Sequence, residues 1–285
     1  MNVGFIGFGE VASTLSSGLL SNGVNVSTCL EGRSKRTIYM AKKSGVNILD
    51  DFVELARTSD ILISAVTPST AVAVAKKLGK YSKGIYVDIN NVSPSTVNEA
   101  LLLVENKRTV DAAIIGSVEK NGCDVKIIAC GDAAKDFSIL NDYGLNIKLM
   151  GDEMGHCSQI KIMRSLYTKG VSAILWETIR GAYEMGIDEE VLKIIAETEG
   201  PQFEKIAHSR LIRSFLHSQR RYEEMGELKK LLSNNKMLND IIMASAAENR
   251  FKDICMKNKK IQKENDEYGH YDSYKDIFYA LKNIK

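Results

Sequence analysis

Short apolar runs separated by stretches of helical periodicity set the pattern of the first 150 residues. Runs at 2–6, 24–29, 61–66, 84–89, 110–114, 125–130 and 147–150 have the length and β-branched content of buried strands. Between them, 11–21, 37–43, 69–78 and 94–104 carry apolar residues at three- and four-residue spacing, which predicts amphipathic helices. Regular alternation of strand and helix predicts a doubly wound α/β domain, a parallel sheet with helices on both faces.

The pattern changes near Gly151. From 158 to 186 the chain runs almost without a breaker, with Val171, Ile174, Leu175 and Trp176 set among polar residues at helical spacing. This predicts one long, largely buried helix. Segments 188–197, 202–213, 218–232 and 237–256 also read as helices, interrupted at Gly200-Pro201 and at Ser233-Asn234-Asn235. The expected organisation is therefore a Rossmann domain over 1–155 and an all-α domain over 156–285. Beyond Lys257 the chain is rich in lysine, tyrosine and asparagine, and the pattern does not choose between a helix-bearing tail and a mobile one.

Composition narrows the class without naming an activity. Length allows two domains, and 44% hydrophobic and 26% charged residues with three prolines describe a globular chain. A net charge of +2, from 38 basic and 36 acidic residues, creates no global field for nucleic acid or a membrane surface. Five cysteines without a CxxC pair suit a reducing compartment and argue against a zinc cluster, so no metal is expected. No leader pattern or membrane-length apolar run is present, which makes the cytoplasm the expected location.

The first chemical signal is Gly7-Phe8-Gly9-Glu10-Val11-Ala12. It follows an apolar strand and opens a helix, the context a dinucleotide-binding turn requires. Gly7 allows the tight turn, Gly9 lets the backbone approach a pyrophosphate, and Ala12 is small enough for helix and strand to pack. Glu10 and Val11 place their N–H groups at the positive end of the helix.

Which nucleotide is decided after the second strand. Glu31 is the acid that would bond the ribose hydroxyls of NAD, whereas Arg33 would meet the 2′-phosphate of NADP. The Gly32-Arg33-Ser34 turn, with Lys35 and Arg36 behind it, offers a guanidinium, a hydroxyl and backbone donors together and favours NADP. Taken singly, Lys35 and Arg36 read as a solvated helix start.

Four ordered motifs then carry a resemblance: Gly7 to Ala12; Val87-Asp88-Ile89-Asn90-Asn91-Val92-Ser93-Pro94; Val110-Asp111-Ala112-Ala113-Ile114-Ile115-Gly116-Ser117; and Gly155 with Lys161 six residues on. Over about residues 1–225 the chain resembles the β-hydroxyacid dehydrogenase superfamily, the relatives of 3-hydroxyisobutyrate and 6-phosphogluconate dehydrogenases, and within it an uncharacterised archaeal-type NADP-binding branch. The resemblance implies that Val66, Thr67, Pro68 and Asn90 lie beside the nicotinamide, at the carboxyl ends of the fourth and fifth strands. It implies that 111–117 is the substrate loop, with Ile115 in place of a serine and Ser117 in place of a glycine. Ser117 could supply the missing hydroxyl; bonding its own turn is the alternative.

Lys161 matches the catalytic lysine of the family, and Arg164 stands where an asparagine is usual. A fixed guanidinium there suggests a substrate with a second acidic group or a phosphate. The helix supports the same reading independently. Lys161, Ser165, Thr168 and Ser172 form a polar stripe on a helix otherwise filled with Ile162, Met163, Leu166, Val171, Ile174 and Leu175. If that stripe faces the crevice, Lys161 serves as general acid/base at the substrate oxygen, with its pKa lowered by burial and by Arg164. The plain alternative is a surface helix on which Lys161, Arg164 and Lys169 are solvated. His156, His208 and His217 lack metal-ligand spacing and read as capping or surface residues. The run from His217 to Met225 is similar to a segment of this branch that could turn toward the cleft; an exposed helix with Arg–Glu pairing is the alternative.

The expected function is an NADP-dependent oxidoreductase interconverting a hydroxyl and a carbonyl on a small acidic metabolite, with Lys161, Ser117 and Arg164 as its catalytic group. An imine reductase, or a protein that binds NADP(H) without turnover, is the alternative. The family pairs its all-α domains, which implies a homodimer.

Overall fold

The computed structural model describes residues 1–233, 241–265 and 271–283. The chain divides into two compact units, Met1–Ile162 and Met163–Lys285.

In the first unit the elements follow the order β1 (Asn2–Ile6), α1 (Glu10–Ser21), β2 (Asn25–Cys29), α2 (Lys35–Ser44), β3 (Asn47–Leu49), α3 (Phe52–Thr58), β4 (Ile61–Ser64), α4 (Ala71–Leu78), β5 (Ile85–Asp88), α5 (Pro94–Leu102), β6 (Thr109–Ile115), α6 (Val118–Asn121), β7 (Lys126–Cys130), α7 (Ala134–Phe137) and β8 (Asn146–Leu149). The eight strands form one sheet in the order β3-β2-β1-β4-β5-β6-β7-β8. Alternate side chains divide between two buried layers. Val3, Phe5, Ile61, Ile63, Ile85 and Val87 pack on α1 through Ala12, Leu15 and Leu19. On the opposite face Leu62 and Tyr86 meet Leu55, Ala75, Val97 and Leu101 from α3, α4 and α5. Burial on both faces explains why these strands read as unbroken apolar runs.

The parallel expectation needs one correction, because β7 runs antiparallel to β6 while β8 is parallel to β7. Residues 116–125 hold only α6 and a 3₁₀ turn. That link is too short for the dozen or more residues a parallel crossover takes. Residues 47–58 also go beyond the sequence reading. There β3 is a three-residue edge strand and α3 a seven-residue helix, started by Asp51, whose carboxylate accepts from the N–H groups of Val53 and Glu54.

The last long helix of the first unit, α8 (His156–Met185), continues into the second. It is followed by α9 (Asp188–Glu199), α10 (Phe203–Leu216), α11 (Ser218–Ser233), α12 (Met243–Asn265) and α13 (Tyr274–Lys282). The expected break after Ser233 falls largely outside the described residues. Trp176 stacks on Phe215 at 6.3 Å between ring centroids and meets the edge of Phe278 at 5.1 Å. Within the lysine-rich end, α13 is part of this core. Tyr274, Ile277 and Phe278 are fully buried, Ser273 and Asp276 form a capping box, and the Tyr274 hydroxyl donates to Asp188 Oδ2 at 2.5 Å.

The burial expected along α8 is only partly found. Met163, Tyr167 and Ile174 are 44%, 67% and 54% exposed, so the helix carries an uncovered apolar stripe as well as its buried residues Ala173, Leu175, Trp176 and Ile179. Lys169 is mostly buried instead of solvated, with its Nζ 2.8 Å from Glu224 Oε2.

Candidate nucleotide and catalytic site

Strand β1 ends at Ile6, and Gly7 then takes φ +87, a left-handed conformation that glycine adopts at no steric cost. A Cβ at Gly7 would stand 2.5 Å from the carbonyl oxygen of Ala65. At Gly9 a Cβ would meet nothing within 4 Å. Gly9 is also the N-cap of α1 and offers no side-chain acceptor to the helix's first N–H groups. Open space therefore coincides with unpaired donors, at Glu10 and Val11, while Ala12 is buried beneath. The turn fits a diphosphate.

Strands β1, β2, β4, β5 and β6 are parallel neighbours, so the segments that follow them share one edge of the sheet. After β2, Glu31 is exposed and Arg33 lies half-buried with its guanidinium 5.0 Å above the Phe52 ring. Its Nε is buried without a hydrogen-bond partner. Ser34 already has a structural task, since its Oγ caps α2 by accepting from Thr37 N at 3.3 Å. Lys35 and Arg36 are exposed in the first turn of that helix, where no acid offsets them. Cations at a helix N-terminus are unfavourable, and an anion would relieve them.

At the ends of β4 and β5 a buried amide joins two loops. Asn90 Oδ1 accepts from Val66 N at 2.7 Å, and its Nδ2 donates to Ser64 Oγ at 3.1 Å and Asp88 Oδ2 at 2.9 Å. Asn90 thus fixes the segment in which Val66 is half-buried and Thr67 and Pro68 are exposed. Asp88 is 1% exposed. Burial raises its carboxyl to about 6; the Asn90 donors oppose the rise, the Asp111 carboxylate adds to it, and the nearby Lys161 ammonium opposes it.

Asp88 and Asp111 are register partners on β5 and β6. Asp111, fully buried, receives the start of α8: its Oδ2 accepts from Ser158 N at 3.0 Å and its Oδ1 from Ser158 Oγ at 2.8 Å. Beside it Cys130 Sγ accepts from Cys157 N at 3.3 Å and lies 3.5 Å from Asp111 Oδ2. A hydrogen bond from the Cys157 thiol lowers the Cys130 pKa and raises that of Cys157. The ligand-type atoms of Asp111, Cys130 and Cys157 all lie within 4.8 Å of one another. Lys161 follows Ser158 by three residues, hence on the same helix face, and is half-buried.

Ser117 is half-buried at the N-cap of α6 and makes no capping bond through its hydroxyl. Arg164 is exposed and falls in the second unit. The polar stripe beyond Lys161 is largely satisfied by its own helix: Thr168 Oγ1 donates to Ser165 O and Ser172 Oγ to Thr168 O. His208 packs against the Tyr274 ring at 4.8 Å, as a structural histidine would. The sequence shows Asp88 and Asp111 inside motifs, but not that they anchor Asn90 and Ser158. An ionisable residue inside an otherwise apolar strand was the available signal.

Comparison with known proteins adds the following. A family model described as NADP oxidoreductase, coenzyme F420-dependent, matches residues 2–92, and a domain of unknown function, DUF1932, matches residues 182–254. An uncharacterized 28.5 kDa protein in the 7S RNA 5′ region of Methanothermus fervidus is 46% identical over 254 residues, covering 89% of this chain and 99% of the relative. The solved structure of conserved protein MTH1747, of unknown function and reported as similar to 3-hydroxyacid dehydrogenases, is 48% identical with a TM-score of 0.78, covering 89% of this chain and 96% of that one. The fold is also that of Mycobacterium tuberculosis 3-hydroxyisobutyrate dehydrogenase with L-serine, at 14% identity and a TM-score of 0.73 over 99% of both chains.

Proposed function

The chain belongs to the 3-hydroxyacid dehydrogenase-like family of nucleotide-binding oxidoreductases, and from that premise we propose an NADP-dependent enzyme that interconverts a hydroxyl and a carbonyl on a small acidic metabolite. The reading is supported most by Lys161 standing one turn beyond Ser158 on α8, since Ser158 is bonded to the buried Asp111, the register partner of Asp88 at the end of β5.

The bound nicotinamide supplies hydride chemistry at carbon. The chain's part is to hold the nucleotide, exclude alternatives and handle the proton. Gly9 and the first N–H groups of α1 take the diphosphate. Arg33, held over Phe52 with an unpartnered Nε, takes the 2′-phosphate, and the cations at the start of α2 favour the same anion. Lys161 donates a proton to the substrate oxygen in reduction and accepts it in oxidation. Ser117, whose hydroxyl is not spent on its own helix, binds the substrate carboxylate. The uncovered stripe of Met163, Tyr167 and Ile174 supports pairing of two copies through the helical unit. Among the described residues no helix is long and apolar enough to cross a membrane.

The test is a turnover assay of the purified chain against hydroxy acids, sugar acids and imines with each reduced and oxidised nicotinamide nucleotide. The expected result is activity on an acidic hydroxy or keto compound with NADP(H) preferred. Activity confined to imines, or preference for NAD(H), would contradict the reading.

A further inference from the structure

The second unit gathers more cations at the α10–α11 turn than its own carboxylates neutralise. Arg210 and Arg213 lie one turn apart on α10, both half-buried. Arg221, on α11, donates from Nη1 to Ser214 Oγ at 3.2 Å and lies 5.4 Å above the Phe251 ring. Ser214 Oγ in turn donates to Arg210 O at 2.7 Å, so the two helices are joined at this point. The nearby acid is already shared: Glu224 pairs with Lys169 at 2.8 Å and with Arg220 at 2.9 Å. Among the described residues no carboxylate forms a salt bridge with Arg210, Arg213 or Arg221, although Glu224 lies close enough to act on Arg221 electrostatically.

Such an arrangement costs free energy. Burial pushes the Arg221 guanidinium down to about 10; Glu224 opposes the fall, and Arg213, Arg210 and Arg220 add to it. It stays charged at neutral pH. Arg213 sits in the last turn of α10, where the helix contributes roughly half an elementary negative charge. That offset covers part of one cation and leaves the others opposed. Arg221 is tied to Ser214, one turn beyond Arg210 on α10 and next to Arg213, so the three cations act on one another across the helix pair. Such a group recognises a multiply charged oxyanion, because each guanidinium offers planar paired donors and their mutual repulsion is relieved on binding.

We propose that Arg210, Arg213 and Arg221 form a binding site for a phosphate dianion in the helical unit. The site rests on the geometry of this unit alone, and it stands whether or not Lys161 is catalytic.

The experiment is thermal unfolding of the full chain with inorganic phosphate titrated against chloride at constant ionic strength, in the unaltered protein and in Arg213→Gln, Arg210→Gln and Arg33→Ala. The expected result is a phosphate-specific rise in Tm whose apparent Kd increases about tenfold or more in each α10 variant. Arg213→Gln should also melt no lower than the unaltered protein when phosphate is absent, since removing one of several opposed charges relieves repulsion. The rise should persist in Arg33→Ala, which separates this site from the nucleotide site. Absence of a phosphate-specific rise, an undiminished rise in either α10 variant, or its loss in Arg33→Ala would overturn the proposal. The Kd for NADPH should be unchanged in Arg213→Gln, and a weakened value there would also overturn the proposal, because the site would then not be separate from the nucleotide site.

Discussion

Asp111 holds the first turn of α8 through two bonds to one residue, Ser158, whose backbone N–H and hydroxyl both point into the same buried carboxylate. A negative charge at that helix end is also favoured by the unpaired N–H groups there. The consequence for function is positional, because Lys161 is one turn further on.

Asp111→Ala would leave the Ser158 N–H and hydroxyl buried and unpaired. Loss of about 3 kcal/mol of unfolding free energy is expected. Denaturant unfolding measures it, with steady-state kinetics beside it. If the anchor positions Lys161, kcat should fall while the Kd for the nucleotide holds. A stability change under about 1 kcal/mol would show that water or Cys130 replaces the carboxylate.

Asp88 makes stability depend on pH in a definite direction. Its carboxyl is raised from 3.8 to about 6 in the fold. Between those values the folded chain keeps a proton that the unfolded chain has released. Stability therefore falls as pH rises through that window, by about 3 kcal/mol in total from this group. Asp88→Asn should remove that part of the slope, at the cost of one hydrogen bond to Asn90. Melting curves from pH 4 to 7 compare the two proteins; parallel profiles would show that Asp88 ionises normally.

Gly7 tests the nucleotide turn. Its φ of +87 and the 2.5 Å approach of a Cβ to Ala65 O leave no room for a side chain. Gly7→Ala should cost about 1–3 kcal/mol and weaken either nicotinamide nucleotide. Gly9→Ala meets open space in the free protein, so it should leave stability within about 1 kcal/mol while still weakening the nucleotide, whose diphosphate needs that space. Equal stability losses in the two variants would contradict this division.

Arg33 is where cofactor choice is expected to reside. Arg33→Ala should weaken NADPH by about tenfold or more and change NADH little. Direct titration of both nucleotides is the check, and equal losses would remove the phosphate assignment.

The sequence and the structure agree where one local rule dominates. Strand β1 and the glycine turn follow from an unbroken apolar run and two glycines. The long helix α8 follows from thirty residues broken by no proline and only by Gly170 and Gly181. Short elements were not legible, because β3 and α3 span three and seven residues and periodicity needs more than that. The reversal at β7 depends on connection length, which the strand pattern does not display. Lys161 and Asn90 were visible as polar residues in apolar settings or motifs. The partners that set them in place, Asp88, Asp111 and Ser158, come together only when β5, β6 and α8 meet, since 47 residues separate Asp111 from Ser158. For the same reason the arginines of α10 and α11 read as separate surface charges until their two helices are joined.

Proton handling by Lys161 is tested by kcat/KM for Lys161→Ala on a substrate that the unaltered protein turns over with NADPH or NADP+. The expected result is a loss of about a hundredfold or more, with nucleotide affinity and melting temperature close to those of the unaltered protein. Turnover within a few-fold of the unaltered enzyme, with the fold intact, would contradict it.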